Sequence, residues 1–169
     1  MGFMEHSSTK SLSATLLLPG FQARGTLIVL GMIQTFINDE QKGVFTLKGA
    51  ELHGLENGNP ATSMQLDELL ISKDHCQVIA FDQMLPHDQT GLMPRTEQIV
   101  AYTSHYAIQG GFHMGTDTQV SEVMDAVRST FLGITNVQFF PLFRPQAAMI
   151  QQAPLVYLHR KSVRMFHAV

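Results

Sequence analysis

Two stretches of the chain share one pattern of apolar and polar positions. In Leu66–Phe81 an apolar run is followed by a short polar break and a second apolar run, and Leu155–Phe166 repeats that order. Aligning the two breaks places Ile71 on Leu158, an offset of 87 residues (158 − 71). Apolar runs of this length around a polar break predict a β-hairpin. We interpret the chain as two copies of one small β-rich unit, each ending in such a hairpin.

The rest of the pattern predicts the order β-β-α-β-β-β in each copy. In the first copy we expect strands at 14–18, 25–30 and 44–52 and a short helix starting near Ile33. In the second copy strands are expected at about 99–102, 112–115 and 131–139, and the clearest helix of the chain at 118–127. Phe131 then aligns with Phe45, and Gly110-Gly111 takes the place of Gly25. Glycine at that point of a strand indicates a bulge or a sharp bend.

These elements predict a mainly β (α+β) protein of four segments. A flexible N-terminal arm covers residues 1–11, the first repeat 12–81, a linker 82–98 and the second repeat 99–169. A strongly bent five-stranded antiparallel sheet with one short helix resembles the Sm-like and SH3-like small barrels. The resemblance is one of fold, and a fold of this kind does not fix a function.

Composition narrows the classes of function. Hydrophobic residues make up 44% of the chain and charged residues 15%, which is typical of a folded protein, and the net charge is −3. Without a basic block, tight phosphate-dominated binding of nucleic acid is disfavoured. Cys76 is the only cysteine, so an intrachain disulfide is excluded and a buried thiol is expected. No apolar run approaches the roughly 20 residues of a membrane helix, and we expect a cytoplasmic protein.

The sequence contains no motif that predicts a catalytic, cofactor-binding or metal-binding residue. Its eight histidines lack the spacing of a zinc site. The nucleophile pattern GxSxG and both glycine-rich phosphate loops are missing. One enzymatic alternative stays open, a small-ligand or hydrolytic site at the junction of the two copies, with Asp82, His87 and Asp88 as its first candidates.

Neighbouring aromatic residues near the end of one predicted strand indicate a protein interface. Phe139 and Phe140 are adjacent, so their side chains point to opposite faces and one of them lies outside its own core. The corresponding pair in the first copy is Leu52 and His53. The interface candidates are Phe140, Leu142, Phe143, Met149 and Ile150. The preferred function is therefore a non-enzymatic module for protein interaction or assembly, with a protein partner or self-association.

A second alternative is weak binding of nucleic acid by the closing hairpin. Cations stand close to aromatic residues there, as in proteins that stack single-stranded bases. The candidates are Tyr157, Arg160, Lys161 and Arg164, with Phe166 nearby.

Overall fold

A computed structural model of the chain describes residues 9–126 and 128–169, so most of the predicted N-terminal arm lies outside it. The strands are β1 (Thr9–Leu18), β2 (Phe21–Leu30), β3 (Val44–Gly54), β4 (Met64–Ser72), β5 (Val78–Phe81), β6 (Arg95–Tyr102), β7 (Tyr106–Met114), β8 (Phe131–Pro141), β9 (Gln152–His159) and β10 (Met165–Ala168). The helices are α1 (Ile33–Ile37), α2 (His87–Thr90) and α3 (Val123–Ala126), and 3₁₀ turns occupy Lys73–His75, Val120–Glu122 and Arg160–Ser162.

The ten strands form one antiparallel sheet. Its order is β10-β6-β7-β8-β9-β5-β1-β2-β3-β4, so β1–β5 are contiguous and make a first half, and β6–β10 make a second half. The halves meet where β9 pairs with β5, a pairing that we call the seam. Each copy was expected to form its own small bent sheet or barrel of the Sm-like or SH3-like kind, and the barrel is wrong for the described residues, whose strands form one open sheet. The sheet stays open because β5 and β9 pair across the seam, which leaves β4 and β10 as its two outer edges.

The polar breaks do not close hairpins as predicted. The 3₁₀ turn Lys73–His75 follows β4, and the next strand, β5, pairs with β1 and β9 instead of β4. The turn Arg160–Ser162 has the same effect, because β10 pairs with β6 and β9 stays between β8 and β5. Each turn therefore carries the chain across its half of the sheet.

A bulge bends the sheet in each half. The registers of β2–β3 and β7–β8 shift around Gly25 and Gly110, which confirms the predicted role of glycine there. The extra residues on the opposing strands include Gly49 and Asn136, which have φ of 54° and 52°. This left-handed conformation is one that glycine and asparagine adopt more readily than other residues.

Two apolar cores lie along this sheet and share the seam. Alternate side chains of a strand point to opposite faces, so each seam strand contributes to both cores. Leu155 and Tyr157 of β9 are buried in the core of the first half. Val78 and Ala80 of β5 are buried in the core of the second half. Neither half completes its core from its own strands alone.

Short helices cover the cores. The helix predicted near Ile33 is confirmed as α1, which buries Ile33 and Ile37. The longer helix predicted at 118–127 is wrong: the segment forms the turn Val120–Glu122 and the four-residue α3, and Val127 lies outside the described residues. Its apolar spacing still matters, because Val123 is buried in the core of the second half.

Candidate functional site

Phe140 and Leu142 form an exposed apolar patch at the end of β8. Phe139 is buried, as its alignment with Leu52 predicts, while Phe140 points to the other face and is 46% exposed. Leu142 is 52% exposed. Isolated apolar residues are common on protein surfaces, but two large exposed ones only two positions apart in the chain are a candidate contact area.

The other three interface candidates pack within the chain. Phe143, Met149 and Ile150 are partly buried against the core of the second half. Gln22 of β2 fixes this loop, because its side-chain amide donates to the Ala148 carbonyl at 3.3 Å and accepts from the Ile150 N–H at 2.8 Å. The loop between β8 and β9 is therefore laid across the first half and leaves Phe140 and Leu142 as the exposed candidates.

A cavity of about 640 Å³ opens beside the seam, at the junction of the two halves. Its polar lining comes from Arg24, Asp82, Asn136, Gln138 and Gln152. The Asp82 carboxylate accepts from the Ser13 hydroxyl at 2.6 Å and lies 3.4 Å from the Arg24 guanidinium.

Of the three junction candidates, only Asp82 lines this cavity. His87 and Asp88 lie in α2, outside the lining, and in the described chain no hydrogen bond joins His87 to Asp82 or Asp88. Within the same residues no three His, Cys, Asp or Glu side chains are grouped closely enough to hold a metal ion. The cavity presents a guanidinium, a carboxylate and side-chain amides, which suit hydrogen bonding to a polar ligand.

The 3₁₀ turns Lys73–His75 and Arg160–Ser162 each place a cation close to a short helix. Lys73 is buried, and its ammonium donates to the carbonyls of Phe36 and Asp39 at 2.9 and 3.1 Å, near the C-terminus of α1. Burial lowers the pKa of Lys73, and nearby Asp39 opposes that effect. Arg160 lies at the equivalent place and donates to the Met124 carbonyl in α3. A cation is favourable near the free carbonyl groups at the end of a helix, and the Arg160 contact, at 3.5 Å, is the longest of the three.

The nucleic-acid candidates are only partly brought together. Arg160 and Lys161 line a cavity of about 190 Å³ with Arg128, His159 and Glu40. Arg164 lies outside that lining, directly before β10. Tyr157 is 1% exposed, because its ring is packed at the seam. A buried ring cannot stack on a base, so the grouping that suggested single-stranded nucleic acid is not formed by these side chains.

The most exposed apolar side chains within strands were not among the predicted sites. Leu70 of β4 is 61% exposed and Met165 of β10 is 62% exposed. Each belongs to an outer strand of the sheet with one paired side. The repeated pattern could have drawn attention to these two residues. Leu70 aligns with Tyr157 and Met165 aligns with Val78, and both Tyr157 and Val78 are buried.

Comparison of the chain with models of protein families, with curated proteins and with solved structures gave no match. Among residues 9–126 and 128–169, no helix is both long and apolar enough to cross a membrane.

Proposed function

We propose that this chain is a non-enzymatic module for protein interaction or assembly, built from two copies of a small five-stranded unit. The observation that carries the proposal is Phe140, a large aromatic ring held 46% exposed next to the exposed Leu142. Burying a phenylalanine side chain contributes roughly 1.5–3 kcal/mol relative to exposure. Because about half of the Phe140 side chain is already covered, a partner that buries the rest would gain about half of that contribution.

Matching strand orders and registers support the duplication. Reading from β5 to β4 gives β5-β1-β2-β3-β4, and reading from β10 to β9 gives β10-β6-β7-β8-β9. Ala14 faces Phe81 across β1–β5, as Ile99 faces Ala168 across β6–β10. The first two strands of the units are thus offset by 85 residues (99 − 14) and the last by 87 (168 − 81). The two-residue difference lies in the helical segment.

The pairing with β4 and β9 corrects one detail of the sequence alignment. Val44 faces Ser72, and Phe131 faces His159, at the same offset of 87 residues (131 − 44). Phe131 therefore corresponds to Val44, not to Phe45, and no insertion in β8 is needed.

The variant Phe140→His tests the proposal, because the first unit has His53 at the aligned position. We expect the melting temperature of the isolated protein to stay nearly unchanged and its association with itself or a partner to weaken. Light scattering after size exclusion measures the mass, and Met84→His is the matched control at another exposed residue. A single-chain mass at every concentration, together with no protein captured from a lysate, would contradict the proposal.

A second candidate function is binding of a small polar ligand in the junction cavity, supported by the hydrogen-bonding groups of Arg24 and Asp82. Isothermal titration with a set of polar metabolites would test it, with Arg24→Ala as the variant expected to lose binding. A ligand whose affinity is unchanged by Arg24→Ala and Gln152→Ala would bind elsewhere.

A further inference from the structure

The seam joins β5, at one end of the first half, to β9, at one end of the second half. Within the described residues, the strands at the opposite ends of the two halves, β4 and β10, each have one side that pairs with no strand. In the seam Val78 faces Leu158, and Phe81 faces Leu155. β9 is the fourth strand of the second half, and β5 is the last strand of the first half. The remaining fourth and last strands, β4 and β10, are the two edges of the sheet. One molecule therefore contains one pairing between a fourth strand and a last strand, and it also presents one further strand of each kind at its edges.

We propose that the chain associates with a second copy of itself, head to tail, by pairing β4 of one molecule with β10 of the next. This inference rests on the proposed assembly function and names its partner. The seam register, shifted by 87 residues on each strand, gives the expected pairs: Ile71 with Met165, Leu70 with Phe166, Leu69 with His167 and Glu68 with Ala168.

Burial supports this pairing, because apolar residues at the edges correspond to buried residues at the seam. Leu70 corresponds to Tyr157, which is 1% exposed in the core of the opposite half. Met165 corresponds to Val78, which is buried in the core of the other half in the same way. In the assembly Leu70 would enter the core of the next molecule, as Tyr157 enters that of the first half.

Val44 extends the same correspondence beyond the two edge strands. It is 47% exposed at the start of β3, and its counterpart Phe131 is 1% exposed in the core of the first half, across the seam. Three of the exposed apolar side chains thus have counterparts that the other half covers.

The backbone of β4 is oriented for this pairing. At the seam, the His159 N–H donates to the Gln77 carbonyl at 2.8 Å, while the next residue, Arg160, donates back to Thr130, before β8. In the first half, the backbone N–H of Lys73 donates to the Gly43 carbonyl at 2.9 Å, just as the backbone N–H of Arg160 donates to Thr130. Because successive backbone groups alternate in direction, Ser72 and Leu70 direct theirs away from β3, towards the open side. An edge of this kind is a template for another strand.

Charge favours pairing of unlike edges over pairing of like edges. The β4 edge carries Asp67 and Glu68, and the β10 edge follows Arg164 and includes His167. Two β4 edges would bring the carboxylates of Asp67 and Glu68 together, whereas β10 carries no carboxylate side chain to repel them. Such a contact is heterologous, so it produces a closed ring or an open chain of molecules.

Blocking each edge separately tests the polarity. Leu70→Lys and Met165→Lys each place a charge where the seam is apolar, and each should weaken self-association about tenfold or more. Each variant keeps one intact edge. At a concentration where the wild type is just associated, neither variant should dimerise alone, while an equal mixture of the two should form a heterodimer. Met84→Lys, at an equally exposed methionine outside the edges, is the control and should associate like the wild type.

Disulfide trapping tests the register. Leu69 and His167 correspond to Val156 and Ala80, a pair whose backbone groups point away from each other, and in such pairs the Cα atoms are about 4.5 Å apart, within reach of a disulfide. Mixing Leu69→Cys with His167→Cys under mild oxidation should give covalent dimers, while either variant alone should not. Leu70→Cys mixed with His167→Cys is the matched control, because those side chains point to opposite faces.

The outcomes separate this inference from the proposed function. A heterodimer from the mixed edge variants, with the expected disulfide, supports head-to-tail pairing. Dimers formed by one blocked variant alone, or a mixture that stays monomeric, overturn it. If both lysine variants assemble like the wild type while Phe140→His does not, edge pairing is refuted and the proposed function stands. A chain that is monomeric and captures no protein refutes both.

Discussion

Replacement of Gly25 by alanine should destabilise the protein, because the bulge in β2 leaves no room for a Cβ atom. A Cβ built there lies 2.7 Å from the carbonyl oxygen of Lys48 and 3.2 Å from the Cα of Ala50. Both are backbone atoms of β3, which is paired with β2 on one side and β4 on the other. They cannot move aside by rotation of a side chain, so the two strands must separate or lose their register.

The size of the effect follows from two opposing terms. Overpacking of a well-packed region costs about 1–3 kcal/mol, occasionally more. Alanine restricts the unfolded chain more than glycine does, which returns about 0.4–1 kcal/mol. We therefore expect the free energy of unfolding to fall by about 1–2 kcal/mol for Gly25→Ala. For a protein of this size the melting temperature should drop by about 2–4 °C for each kcal/mol.

Urea unfolding followed by circular dichroism measures this change, and Gly43→Ala is the matched control. Gly43 has nothing within 4 Å of its added Cβ, so the same substitution should leave stability unchanged or slightly raised. Gly110→Ala should lower stability as Gly25→Ala does, because its Cβ would lie 2.8 Å from a methyl group of Ile134. Equal unfolding midpoints for Gly25→Ala and Gly43→Ala would refute the explanation of the bend.

Three further predictions concern single residues. Gly49→Val should lower the free energy of unfolding by at least about 1–2 kcal/mol because φ is 54° there, whereas Asn136→Gly, at the equivalent bulge, should be neutral or stabilising in the same urea titration. Burial raises the pKa of Cys76 to about 12, so alkylation by iodoacetamide at pH 8 should be at least about 100-fold slower in the folded protein than in urea; rapid labelling of folded protein would contradict this. Burial lowers the pKa of His159 below 6.5, against the opposing effect of Asp74, so folding favours the neutral ring. The free energy of unfolding should therefore be fully present above pH 6.5 and should decrease as the pH falls below that value. The decrease should be smaller in His159→Gln.

The local elements could be read from the sequence because they depend on short-range spacing. Ile33 and Ile37 recur at helical spacing and form α1. Gly25 and Gly110 stand inside segments with strand-forming patterns, and both lie at bulges. The alternation that placed Phe139 inside and Phe140 outside needs only the period of two of a strand. The four-residue α3 shows the limit, because helical spacing did not produce the longer helix that it predicted.

Strand partners were decided by the tertiary structure. The polar break after β4 is equally compatible with a hairpin and with a 3₁₀ turn, and only contacts far apart in the chain make β5 pair with β1 and β9. Tyr157 was a candidate for base stacking because its apolar surroundings come from the other half, which the local sequence does not contain. The same long-range pairing buries Val78 and leaves its counterpart Met165 exposed. The pattern of apolar and polar positions determined where the chain forms strands. The order of those strands in space decided which of them are covered on both sides and which have one open edge.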